Sequence, residues 1–87
     1  MTKSEIQQDI INILKENYKS STCNYANLSE EGDYVVILDK GLSYRNYPYA
    51  AKRILDKHDK IRVVHFIGGW NDYVYTRNTL KWGGYYD

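Results

Sequence analysis

The chain has one cysteine, one proline, one phenylalanine and one methionine in 87 residues, and each scarcity excludes something. A lone Cys23 leaves no internal disulfide framework and fits a reducing compartment, so a cytoplasmic protein is expected. With Pro48 as its only proline and six scattered glycines, the chain has no linker, repeat array or low-complexity segment. The longest apolar run covers residues 35–38, far short of the roughly 18 residues that span a membrane. Residues 1–20 lack the continuous apolar stretch of a secretory signal. Hydrophobic residues at 43% and charged residues at 26% describe an ordinary globular chain, expected as a single domain over residues 1–87.

What is abundant is tyrosine, with ten residues. Phenylalanine fills a core as well and has no hydroxyl to satisfy. A tyrosine excess therefore points to rings at the surface, the kind of rigid amphipathic group that binding surfaces use. Charge is unevenly placed. Residues 1–39 hold three lysines against seven carboxylates, and residues 40–62 hold seven bases against Asp56 and Asp59. Either the fold separates these regions into faces that steer different partners, or it brings them together and they neutralise one another.

Hydrophobic spacing predicts a helix over about 4–18, with Ile6, Ile10, Ile13 and Leu14 on one stripe and Ser4 and Gln7 as its capping box. Residues 22–28 read as a short first strand, with Cys23 and Tyr25 alternating with polar residues, and 29–33 as a turn. Residues 34–38 read as a strand apolar on both faces and hence covered on each side. Gly41 follows, free to take a positive φ. Pro48 suits the first turn of a second helix that buries Tyr47, Ala50, Ala51, Ile54 and Leu55 and stops near His58. Residues 61–67 form the next strand, with Ile61, Val63, His65 and Ile67 on one face and Arg62, Val64 and Phe66 on the other. After a turn at 68–72, residues 73–77 return antiparallel, 78–82 extend that strand, and 83–87 are a tail. The expected fold is α+β in the order α-β-β-α-β-β. A three- or four-stranded, partly antiparallel sheet, depending on the first strand, packs with two helices.

Two constellations are candidates for partner binding. Tyr44, Arg45, Tyr47 and Tyr49, followed by Lys52, Arg53 and Lys57, combine the side chains found at interface hot spots. Trp70, Asn71, Asp72, Tyr73 and Tyr75, with Arg77 next in line, form an aromatic hairpin. The structural alternatives are a loop covering a helix start and an aromatic ladder over the core. Nothing carries metal-ligand spacing, a phosphate loop or a nucleophile motif, so no catalytic residue, metal or cofactor is assigned and an enzyme is disfavoured.

In size, in its lack of catalytic motifs and in its aromatic-polar surface, the chain resembles small accessory proteins of phages and mobile elements, anti-CRISPR proteins among them. The resemblance implies an inhibitor that blocks a docking site on a larger protein or nucleoprotein complex. The alternative is a direct nucleic-acid binder using Arg45, Lys52, Arg53 and Lys57 for phosphates. An edge strand also leaves room for a homodimer.

Overall fold

The computed structural model describes residues 1–69 and 71–82. Helix α1 (Lys3–Asn17) is followed by strands β1 (Tyr25–Leu28) and β2 (Tyr34–Leu38). A one-turn 3-10 helix (Tyr44–Asn46) leads into α2 (Tyr47–Lys57), and β3 (Val63–Ile67), β4 (Tyr73–Thr76) and α3 (Arg77–Trp82) complete the order. The α+β reading holds, with four strands and a third helix. The strands lie side by side in sequence order; β1–β2 and β3–β4 are antiparallel, and α2 joins the parallel pair β2–β3.

Register explains the core. Ala26, Ile37, Phe66 and Tyr73 form one row across all four strands, and Leu28, Val35, Val64 and Tyr75 a second. Both rows share one core with Ile10, Ile13 and Leu14 of α1, Leu80 of α3 and the stripe expected for α2. The intervening rows, among them Asn27, Val36, His65 and Val74, occupy the other face. The expectation that residues 34–38 are covered on each side is therefore corrected. All three helices contribute to the same core, and the opposite face stays half-buried or exposed among the described residues. Ile61 is also reassigned: it lies before β3 begins and is buried in the core, not aligned with Val63 and His65.

Local chemistry decides three further corrections. Thr2, not Ser4, caps α1: its hydroxyl accepts from the Glu5 N–H, and Glu5 returns a bond to the Thr2 N–H. Gln7 is thereby released, and its Oε1 accepts the Leu28 N–H at 3.0 Å on strand β1. Residues 78–82 belong to a helix and not to a longer strand. Thr76 and Thr79 each accept the other's backbone N–H through Oγ1, at 2.7 and 3.2 Å, a reciprocal cap that turns the chain out of the sheet. Finally, Gly41 has no positive φ; glycine is required there because a Cβ would stand 1.9 Å from the Ser20 carbonyl oxygen. Among the described residues, the left-handed positions are Gly32, with φ 75°, and Gly68, with φ 105°. Trp70 and the tail at 83–87 lie outside the described residues.

Candidate functional site

Helices α1 and α2 meet through charge. Lys57 Nζ lies 2.8 Å and His58 Nε2 2.6 Å from the two Asp9 oxygens, so the acidic front and basic middle of the sequence partly neutralise one another. Lys52 pairs with Asp56 at 2.7 Å, and Arg53 Nε donates to the Tyr18 hydroxyl at 3.3 Å. Of the four basic residues expected on this helix region, Arg45 alone makes no such side-chain contact among the described residues. Arg77 is turned inward: its guanidinium donates to the carbonyls of Leu55, His58 and Ile61, closing the C-terminal end of α2 against the start of β3. It is not in line with Tyr73 and Tyr75.

The two aromatic constellations converge at the carboxyl ends of the parallel strands β2 and β3. A cleft of about 290 Å³ opens there, lined by the 39–44 loop, Tyr47, the paired glycines 68–69 and Tyr73. In open sheets of parallel strands this end is where ligands sit. Tyr73 faces the helices and not the solvent, because its row is the core row. Its ring stands 6.4 Å from that of Tyr44 at 14° and 5.2 Å from that of Tyr47 at 65°. Tyr47 stacks on Phe66 at 4.4 Å, and Phe66 meets Tyr75 edge-on at 6.0 Å. An aromatic chain thus runs from Tyr44, 58% exposed, down to Phe66 in the core. Tyr49 is exposed two residues along α2 from Tyr47, while Asn71 and Asp72 are exposed in the turn before β4.

Asp39 builds the loop beside this cleft. Its carboxylate, 1% exposed, accepts from the backbone N–H groups of Thr22, Gly41 and Leu42 at 3.0 Å each and from the Ser21 hydroxyl at 2.6 Å. Such local bonding two and three residues on is what an aspartate ending a strand before glycine does. Ser43 then caps the 3-10 helix, its Oγ accepting from the Arg45 N–H. Burial, with Asp39 and Tyr73 behind it, pushes the Tyr47 phenol above its ordinary value. The sequence reading missed Asp39, Lys40 and the paired glycines as cleft residues; the Asp-Lys-Gly ending of β2 was the available signal.

On the open face, Tyr34 and His65 meet at 2.9 Å between the hydroxyl and Nδ1. His65 Nε2 lies 3.2 Å from Asp72 Oδ2, an ion-pair distance without the alignment of a hydrogen bond, so this buried nitrogen is not satisfied. Cys23 is buried, and burial pushes its thiol up, so it stays protonated at neutral pH. Among the described residues no group of three metal-ligating side chains gathers, and no helix is long and apolar enough to cross a membrane.

No protein-family model, curated protein or solved structure matches this chain. The functional reading therefore rests on the chain's own residues.

Proposed function

We propose that this chain is a non-enzymatic binding module that engages a larger protein through the tyrosine cleft and the exposed rings beside it. The observation that carries this is the meeting of Tyr44 and Tyr73, 29 positions apart in the sequence, with near-parallel rings at the mouth of one cleft. Tyr44 is largely solvent-exposed yet held at its inner side, the arrangement of an anchor that loses little entropy on binding. The basic helix favours a protein partner over nucleic acid, because Lys52 and Lys57 already face carboxylates. In its finer form the proposal is a cytoplasmic inhibitor of the anti-CRISPR kind, a steric block on a docking site of a host complex. The buried, protonated thiol of Cys23 supports a role without nucleophilic chemistry.

The test is capture of a partner from host lysate, its identification, and titration of the purified partner with wild-type protein, Tyr44→Ala and Tyr49→Ala. Tyr44→Ala is expected to weaken binding at least tenfold, a hot-spot effect of about 1.4 kcal/mol or more, with folding intact. Equal affinity for wild type and Tyr44→Ala would remove this cleft from the interface. Binding that collapses with rising salt in proportion to phosphates neutralised would favour nucleic acid instead.

A further inference from the structure

We infer that the tyrosine cleft accepts a cationic side chain of the partner, an arginine guanidinium before a lysine ammonium; this rests on the cleft being the docking site. The first ground is charge. Asp39 is sealed from water, and its carboxylate meets only hydroxyls and backbone N–H groups; no cation lies within ion-pair distance of it among the described residues. Buried charges are ordinarily paired, and a carboxylate held by neutral dipoles alone keeps its net negative field. That field reaches the cleft, since Asp39 lines it and acts on the Tyr47 phenol.

The second ground is the wall. Tyr44, Tyr47 and Tyr73 bring three rings to one cleft in two orientations, Tyr47 standing steeply against Tyr73. Aromatic faces beside a carboxylate attract a cation, and a planar guanidinium can stack on them while donating hydrogen bonds. An acceptor is present: the Tyr47 hydroxyl makes no hydrogen bond to any described residue and lies 3.5 Å from the position a Cβ on Gly69 would take. Glycines at 68 and 69 keep that side of the cleft low.

Lys40 opposes this reading, since it lines the same cleft, is exposed and makes no ion pair among the described residues. It supplies the decisive variant. If the site takes a cation, Lys40→Ala strengthens binding; if it takes an anion, the same change weakens it.

The experiment titrates the full chain with an acetylated, amidated Gly-Arg-Gly peptide, its citrulline twin, and inorganic phosphate. Amide shifts of Gly41, Gly68 and Gly69 are followed by NMR. The arginine peptide is expected to bind saturably and the neutral twin roughly tenfold or more weaker, with Lys40→Ala tightening the arginine peptide severalfold and Tyr44→Ala weakening it. Asp39→Asn, checked for a native spectrum, is expected to remove the preference for arginine over citrulline. Equal binding of the two peptides would overturn the inference, as would phosphate binding that Lys40→Ala abolishes or the absence of any saturable shift with arginine. Partner capture that still depends on Tyr44 would then show that the docking reading survives and only its chemistry fails. Loss of both would remove the two together.

Discussion

Two carboxylates, half-buried Asp9 and fully buried Asp39, meet opposite company. Asp9 on α1 faces Lys57 and His58 at 2.8 and 2.6 Å, side chains that arrive from the end of α2. Asp39, at the end of β2, faces three backbone N–H groups and the Ser21 hydroxyl. The first arrangement ties two helices together and cancels its own field within a few ångströms. The second shapes a loop and leaves its charge uncancelled, because dipoles stabilise an anion without neutralising it. The comparison separates a closed electrostatic device, which belongs to the fold, from an open one beside the cleft, where charge can act on a partner.

The largest expected effect comes from Asp39→Ala. It leaves the N–H groups of Thr22, Gly41 and Leu42 without their acceptor, and urea unfolding at neutral pH is expected to show a loss of about 3 kcal/mol or more. A loss under about 1 kcal/mol would mean that the loop stands without the carboxylate, and the contrast with Asp9 would collapse. Asp9→Ala ranks next, at about 1–2 kcal/mol, because exposed Lys57 is readily rehydrated while half the contact, to buried His58, is not. A double-mutant cycle between Asp9 and His58 that shows no coupling would strike out the tie between the helices.

Acid sharpens the same contrast. Burial pushes the Asp9 carboxyl up, but the bonds and charges of Lys57 and His58 outweigh it and hold the group below its ordinary value of 3.8. A carboxyl with a depressed folded value stabilises fully above that ordinary value and loses the contribution as pH falls through the lower, folded one. The unfolding free energy, measured between about pH 6 and pH 2, is therefore expected to fall more steeply for the wild type than for Asp9→Asn. Superimposable slopes would exclude Asp9 from the acid limb. The smallest effect on stability belongs to Tyr44→Ala, within about 0.5 kcal/mol because the ring is mostly in water, although partner binding is expected to drop sharply. A large destabilisation there would make Tyr44 part of the fold and not of an interface.

Much of the architecture was legible in the chain. The Pro48 start and the stripe of Tyr47, Ala50, Ala51, Ile54 and Leu55 fix α2 and the residues it buries. The β-branched runs mark β2 and β3 within two residues. The failures on the sheet share one cause, which is that local patterns are silent about which face a neighbour covers. An apolar residue on the open face, such as Val36, reads the same as Val35 beneath the helices. Tyr73 and Tyr75 alternate like a displayed stripe, yet their pairing with Phe66 and Val64 places them on the core side. The Thr76–Thr79 cap was missed because threonine suits a strand as readily as a helix start.

The candidate site was legible only in halves. The sequence by itself determined the tyrosine excess and the types of α1, β2, α2, β3 and β4, whose patterns depend on residues a few positions apart. Only the tertiary structure decided that Tyr44 and Tyr73 share one cleft, that Arg77 turns inward, and that Asp39 is buried with no cation beside it among the described residues while Asp9 has two basic partners. Those outcomes depend on strand register and on which side of the sheet the helices cross, and both are set by the cooperative burial of the whole core.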